Sequence, residues 1–92
     1  MNRSQLVDAV AGASGLSTRD AESAVAATLE AIVASVAAGD SVSLAGFGAF
    51  EQRARAARVG RNPQTGAAMD IPASVAPAFK AATAFRRRVA EA

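Results

Sequence analysis

The 92-residue sequence changes its hydrophobic period near residues 39–40, and this change limits the fold more than any other feature. Before it, large apolar side chains recur at the three- and four-residue spacing of a helix face. After it, Ser41-Val42-Ser43-Leu44 alternates polar and apolar residues, which is typical of a half-buried strand. Helices followed by strands, rather than alternating with them, favour an α+β fold.

Two helices are predicted before the change, over residues 3–13 and 17–38. Asn2 is placed to cap the first helix, and Gln5 is positioned to bond back to the cap residue. A glycine follows each helix and provides its stop. We expect one face of each helix to be buried, and the residues that define these faces are Leu6, Val7, Val10, Val25, Leu29, Ile32, Val33 and Val36.

The second half of the sequence predicts three antiparallel strands, two of which continue into a long hairpin. One strand begins near Phe50 and extends to Val59. Beyond about Arg53 this strand has little large apolar surface with which to pack on a core. We therefore expect residues 53–74 to protrude as a hairpin arm from a sheet formed within residues 41–81.

The tip of the predicted arm is Gly60-Arg61-Asn62-Pro63-Gln64-Thr65-Gly66. The Asn-Pro step favours an extended residue followed by a turn, and the two glycines relax the flanks of the turn. The chain then returns through a strand and ends in a short helix at about residues 83–90. Helical spacing places Phe85 and Val89 on the inner face of this helix.

The supply of large apolar side chains is small for a chain of this length. The sequence has 26 alanines, whereas Leu, Ile, Val and Phe together number 19. Burial stabilises by roughly 25 cal/mol per Å² of apolar surface, and alanine contributes little of that surface. Because a single chain can build only a modest core, oligomerisation is expected.

Residue types that many enzymes and metal sites need are missing. There is no Cys and no His, which excludes disulfides, thiolate ligands and imidazole bases. The acids are scattered and no Gly-x-x-x-x-Gly-Lys loop is present, so we expect neither catalysis nor a cofactor. The sequence shows no signal-peptide core and no run near the roughly 20 apolar residues of a membrane span, which predicts a cytoplasmic protein without membrane contact.

Basic charge is concentrated in the predicted arm. The net charge is +2, yet residues 53–66 carry +4 and no acid, which leaves −2 on the rest of the chain. A solvated, solubilising face is one interpretation of such a charge run. Arginines on an exposed ribbon also suit phosphate, because the guanidinium stays charged and binds phosphate with two parallel hydrogen bonds. A second basic patch, Arg86-Arg87-Arg88, lies in the last helix.

The distribution of aromatic residues favours duplex over single-stranded nucleic acid. No aromatic residue occurs between Phe50 and Phe79. Proteins that bind unpaired bases normally stack them on aromatic rings, and the predicted arm offers none. Pro63, at the tip, instead presents a compact apolar wedge, and proline is one of the side chains that insert between base steps in the minor groove and kink a duplex.

Three segments form one pattern: Gly46-Phe47-Gly48-Ala49-Phe50, the spaced arginines of the arm and the tip sequence. This pattern resembles the signature of the HU and integration-host-factor family of bacterial histone-like proteins. The opening Met-Asn-Arg-Ser-Gln-Leu and Gly39-Asp40 fit the same pattern, so the resemblance covers essentially the whole chain, and it is closer to HU. It implies a nucleoid-associated protein that binds and bends duplex DNA. It also implies one domain over residues 1–92, with residues 1–38 as the helical base of an intertwined dimer whose two arms reach around the DNA.

The resemblance also implies roles for individual residues. Pro63 would be the intercalating wedge, with Arg61 and Asn62 beside it in the minor groove. Further DNA contacts would come from the arm and the body, through Arg53, Arg55, Arg58, Arg3, Lys80 and Arg86. Phe47, Phe50 and Phe79 would belong to a core shared by the two chains. Lys80 is the only lysine and Ala82-Thr83 replaces a common Gly-Lys, so contacts by Thr83, Arg87 and Arg88 stay open.

Several alternatives stay open. The sequence is compatible with a homodimer or with a heterodimer formed with a paralogue, and RNA binding through the same arms is a further hypothesis. A site-specific bending factor resembling integration host factor is the alternative within the family. A helix-turn-helix protein is less favoured, because the second helix carries a long apolar stripe in place of polar base-contacting residues near its N-terminus. A pure interaction scaffold would bind no DNA in a gel-shift assay.

Overall fold

The computed structural model describes all residues, 1–92, and has the order of elements that the change in period predicts. Helices α1 (Arg3–Ser14) and α2 (Thr18–Ala37) precede five strands, and helix α3 (Thr83–Ala90) follows them. The strands are β1 (Val42–Leu44), β2 (Gly48–Arg55), β3 (Arg58–Arg61), β4 (Ala68–Ile71) and β5 (Ser74–Ala81). The α+β fold class is confirmed. None of the helices combines the length and the apolar character that crossing a membrane requires.

Local signals set the ends of the first two helices. The predicted capping box is present: Asn2 Oδ1 accepts from the Gln5 backbone N–H, and Gln5 Oε1 accepts from the Asn2 N–H, both at 2.9 Å. Gly15 ends α1 in the left-handed conformation, with φ 77°. Ser17 Oγ accepts from the backbone N–H of Asp20 at 3.1 Å and satisfies one of the free donors at the start of α2.

The first of two compact units, Met1–Ser35, has a small core. The buried residues are Val7, Ala21 and Val25, and Val10 and Ala11 pack against them. Other residues of the predicted buried faces are exposed, namely Leu6, Leu29 and Val33. The helical period therefore identified the apolar faces correctly, but a single copy of the chain does not cover all of them.

The second unit, Val36–Ala92, contains all five strands, arranged in two antiparallel sheets. In the three-stranded sheet β2 lies between β1 and β5, and its register pairs Phe50 with Phe79. Because β5 is an edge strand, it tolerates Pro77, which has no N–H to donate. Strands β3 and β4 form a separate two-stranded sheet, called the distal ribbon here (residues 58–71).

The strand predicted to run without interruption to Val59 is in fact broken. Its first part, β2, ends at Arg55, and β3 begins at Arg58. On the returning limb the corresponding gap is residues 72–73, so two residues are unpaired on each limb. Pro72 lacks an N–H and cannot contribute a ladder hydrogen bond there, which gives one physical reason for the break.

Four phenylalanines form an aromatic cluster in the second unit. The ring centroid of Phe79 lies 4.7 Å from that of Phe50 and 5.4 Å from that of Phe47, distances typical of favourable aromatic pairs. Phe85 joins the cluster, with its centroid 5.3 Å from that of Phe47. Gly48 makes this packing feasible, because a Cβ atom there would lie 2.6 Å from the Phe79 ring.

Helix α3 is attached to the sheet at its start. The Ala82 N–H donates to the Phe47 carbonyl oxygen at 2.9 Å, next to the aromatic cluster that Phe85 joins. Val89, predicted to face inward with Phe85, is 64% exposed. It lines a groove together with Phe47 and Phe85, so helical spacing gave the correct side of the helix. The expected burial of Val89 is not complete in a single chain.

Candidate nucleic-acid interface

One face of the three-stranded sheet carries long charged side chains. Side chains alternate along a strand, so the register that puts Phe50 and Phe79 on one face assigns Arg53, Arg55 and Lys80 to the opposite face. All three cations are exposed. Their cross-strand partners are small, namely Ala76, Ser74 and Ala49. This surface, called the charged face, therefore presents cations without bulky neighbours opposite them.

Arg58 and Arg61 lie on opposite sides of the distal ribbon. Arg58 pairs with Ile71 and Arg61 with Ala68, and a separation of three positions along a strand reverses the side. Gly60 has a packing function here, because a Cβ atom at this position would lie 2.7 Å from Cδ1 of Ile71. Its predicted role, to relax the flank of the tip, is therefore wrong. It is a paired strand residue that makes room for a side chain.

The tip of the arm is ordered by hydrogen bonds of its own. The Gly66 N–H donates to the Asn62 carbonyl oxygen at 2.7 Å, and Gly66 takes the left-handed conformation with φ 72°. Asn62 Oδ1 accepts from the Gln64 backbone N–H at 2.9 Å, which forms an Asx turn. The guanidinium of Arg61 donates from Nη1 to the Gly66 carbonyl oxygen at 3.2 Å.

Pro63 lies inside this turn and is exposed, whereas Asn62 before it is half-buried. The structure thus brings together Arg61, Asn62 and Pro63, the three residues predicted for the tip. The bonds that Arg61 and Asn62 make within the tip were missed by sequence reasoning. For Asn62 a signal was present, since asparagine commonly bonds to the backbone two residues further on.

The predicted contacts of the body come from three different elements. Lys80 belongs to the charged face through β5. Arg86 lies on α3, and its Nη2 donates to Thr83 Oγ1 at 3.3 Å, so the guanidinium lies beside the first turn of that helix. Arg3 lines a groove of the first unit together with Asp8 and Glu22. The groove that Arg3 lines therefore carries two negative charges beside its positive one.

Two acids interrupt the basic surface of the sheet and the distal ribbon. Glu51 lies on the charged face, two residues before Arg53. Asp70 pairs with Val59 and so shares a side of the distal ribbon with Arg61. The charge of +4 over residues 53–66 does not include the facing limb, to which Asp70 belongs. The structure contains no group of acids that could hold a metal ion.

Comparison with known proteins gives matches over nearly the full chain. Residues 1–90 match the family model described as bacterial DNA-binding protein. The sequence is 54% identical to DNA-binding protein HU of Geobacillus stearothermophilus over 89 residues, which are 97% of this chain and 99% of the relative. It is 49% identical to DNA-binding protein HU of a Nostoc species over 90 residues, 98% of this chain and 96% of the relative.

Solved structures show the same similarity in three dimensions. The chain aligns with HU in an Anabaena HU–DNA cocrystal structure at a TM-score of 0.94 and 48% identity, over 100% of both chains. It aligns with HU from Thermotoga maritima at a TM-score of 0.68 and 27% identity, over 97% of this chain and 98% of the other. The similarity therefore includes the arm as well as the helices and the sheet.

Proposed function

The chain belongs to the HU family of bacterial DNA-binding proteins, and we propose that it is an architectural protein that binds duplex DNA with little sequence preference and bends it. One observation carries this proposal: a single arm combines exposed arginines along its length with an exposed proline at its apex. Members of this family are not enzymes, which confirms the prediction that the chain has no catalytic activity. We place its action in the cytoplasm, on the nucleoid.

Affinity comes mainly from the charged face and the distal ribbon. Arg53, Arg55 and Lys80 project from one surface, so they can neutralise neighbouring phosphates of one duplex. Each neutralised phosphate releases counterions and contributes about −0.9 to the slope of log affinity against log salt. Phosphate contacts carry no direct sequence information, which accounts for a tolerant binder. Arg86 and Arg3 are proposed as further contacts, and Arg3 as the weaker of the two because acids share its groove.

Bending is assigned to the tip. Pro63 is exposed, compact and apolar, and inserting it between two base pairs would unstack them at a cost of about a few kcal/mol per step. The bend then brings more backbone within reach of cationic side chains, which offsets that cost. HU is itself among the architectural proteins for which minor-groove binding of this kind has been described. Arg61 and Asn62 are proposed to lie beside Pro63 in the groove.

The active form is proposed to be a homodimer. Phe47 and Phe79 are 45% and 42% exposed although they belong to the aromatic cluster, and Val33 of α2 is 60% exposed. A second copy would cover these surfaces, with residues 1–38 as the shared helical base and residues 1–92 as one domain of each chain. If so, the unfolding midpoint of the chain alone rises with protein concentration. A midpoint independent of concentration, with a monomer in sedimentation, would favour a heterodimer.

The proposal is tested by binding to straight, nicked and RNA duplexes across a salt titration, with bending followed by energy transfer between the duplex ends. We expect tighter binding to nicked than to straight DNA, because a nick lowers the energy of deformation. Pro63→Ala should reduce bending and leave the affinity for straight DNA nearly unchanged. Pro77→Ala, in strand β5, is the matched control and should bend DNA as the parent does.

Three results would contradict the proposal. Equal affinities for straight and nicked DNA at matched salt would rule out a binder that bends its substrate. Unchanged bending by the Pro63→Ala protein would remove the wedge role. Tight binding to the RNA duplex would extend the partners beyond DNA, whereas no binding to either duplex in a gel shift would support an interaction scaffold.

A further inference from the structure

Asn62 makes more hydrogen bonds within the tip than any other residue there. Its backbone N–H donates to Ala67 O at 2.9 Å, and its carbonyl oxygen accepts from the Gly66 N–H at 2.7 Å. Its side-chain Oδ1 accepts from the Gln64 N–H at 2.9 Å. Of its polar atoms, only Nδ2 makes no hydrogen bond within the chain, so most of the residue is committed to the turn.

The side-chain bond spans Pro63. Proline has no N–H, so Gln64 provides the first backbone donor after Asn62, and Oδ1 takes that donor. Asn62, which carries the acceptor, and Gln64, which carries the donor, thus flank Pro63 in the sequence. The bond therefore closes an Asx turn with Pro63 as its central residue.

We propose that Asn62 is a positioning residue, which holds Pro63 at the apex through its Oδ1 before DNA is bound, and that DNA bending depends on this role and not on a contact from its free Nδ2. This inference rests on the proposed function, in which Pro63 is the wedge. A wedge that is already oriented loses less conformational freedom on insertion, so more of the binding free energy is available to deform the duplex.

The proposal makes a specific demand on the side chain at position 62. The acceptor that reaches the N–H two residues further on is Oδ1, bonded to Cγ, in Asn and Asp, or, more weakly, Oγ in Ser. Glutamine carries the same amide one carbon further out, so it keeps the hydrogen-bonding chemistry of a groove contact but loses the geometry of the turn. Serine keeps an acceptor for the turn but has no amide. Asn62→Ser and Asn62→Gln therefore separate the two roles.

The test uses full-length protein carrying Asn62→Ser, Asn62→Gln, Asn62→Ala or Gln64→Ala, assayed with nicked and straight DNA duplexes. We expect Asn62→Ser to bend nicked DNA nearly as the parent does. Asn62→Gln and Asn62→Ala should bind nicked DNA about fivefold more weakly, which corresponds to one net hydrogen bond of about 1 kcal/mol, and should bend it less. Gln64→Ala keeps its backbone N–H and serves as the control without effect.

A second measurement needs no DNA. Amide hydrogen exchange at position 64 in the free protein should be faster in Asn62→Ala and Asn62→Gln than in the parent. It should stay close to the parental rate in Asn62→Ser and in Gln64→Ala. A purely destabilising effect would raise exchange throughout the distal ribbon, whereas loss of the turn raises it at Gln64. Unchanged exchange at Gln64 in Asn62→Ala would overturn the inference.

The bending assay separates failure of this inference from failure of the proposed function. One pattern of results is loss of bending in Pro63→Ala and Asn62→Ser with bending kept in Asn62→Gln. In that case Pro63 is the wedge but Asn62 acts by direct contact with DNA, which overturns the inference alone. If Pro63→Ala bends DNA normally, the wedge itself is wrong, and a positioning role for Asn62 falls with it. Loss of bending in Pro63→Ala, Asn62→Gln and Asn62→Ala, with bending kept in Asn62→Ser, supports both.

Discussion

The side-chain amide of Gln52, on β2, donates from Nε2 to the carbonyl oxygen of Val36 at 2.9 Å. The same nitrogen lies 3.4 Å from the carbonyl oxygen of Ala37, the last residue of α2. Carbonyl groups in the last turn of a helix have no partner within the helix. The Val36 oxygen also accepts from the Gly39 N–H, which follows the helix, at 3.0 Å. A residue of the central strand therefore caps the C-terminus of α2, and it connects that helix end to the sheet that carries the charged face.

Substitutions at Gln52 should follow the chemistry of this cap. Gln52→Ala should lower the free energy of unfolding by about 1 kcal/mol, because the carbonyl groups lose a donor. Gln52→Glu should lower it further, since a carboxylate cannot donate and its negative charge opposes the negative end of the helix dipole. Gln52→Lys should retain most of the stability. Denaturant unfolding measures the order, and equal stability of the Ala and Glu variants would contradict the cap.

Two glycine-to-alanine changes should have opposite signs. A Cβ atom at Gly48 would lie 2.6 Å from the Phe79 ring and from the Lys80 carbonyl oxygen. Gly48→Ala should therefore destabilise the protein by about 1–3 kcal/mol, as overpacking does. A Cβ atom at Gly12, in α1, would meet no atom within 4 Å. Because alanine favours a helix over glycine by about 0.8–1.0 kcal/mol, Gly12→Ala should raise the unfolding midpoint. A stable Gly48→Ala protein would mean that the phenylalanine cluster repacks at little cost.

Removing arginines from the charged face should reduce the salt dependence of DNA binding by a predictable step. If Arg55 neutralises one phosphate, Arg55→Ala lowers the slope of log affinity against log salt by about 0.9, and Arg53→Ala with Arg55→Ala lowers it by about 1.8. Arg19→Ala, on α2, removes the same charge outside the sheet and the arm and should leave the slope nearly unchanged. A loss of affinity without a change in slope would show that these arginines do not release counterions.

Neutralising Asp70 should strengthen DNA binding. Asp70 shares a side of the distal ribbon with Arg61, so its carboxylate repels a phosphate that approaches this arginine. Asp70→Asn should raise affinity about two- to fivefold at low salt, the size of a surface charge interaction, and less at high salt because of screening. Glu30→Gln, on α2, makes the same change of net charge and serves as the control. An equal gain from both variants would mean that net charge alone decides.

The features that could be predicted from sequence are those set by neighbouring residues. The capping box of Asn2 and Gln5, the stop at Gly15 and the position of the tip all depend on residues within a few positions of each other. The same holds for the concentration of arginines in the arm. Local patterns therefore gave the order of the elements and the residue types of the candidate site.

The features that were missed depend on residues far apart in sequence. The bond from Gln52 to Val36 and the fit of Phe79 over Gly48 need the strand register, which the local pattern does not contain. The placement of Asp70 beside Arg61 also needs the pairing of two limbs. The exposure of Val89 follows from what covers the helix, whereas periodicity gives only its side.

The break between the sheet and the distal ribbon has a consequence for how such an arm can change in length. Two residues are unpaired on each limb, 56–57 on one and 72–73 on the other, so the pairing register is the same before and after the break. A single residue inserted into one limb would turn every later side chain of that limb to the other side. An insertion that preserves the arginine pattern must therefore add residues to both limbs of the hairpin, in equal numbers. Arms of this design can therefore lengthen only in discrete steps.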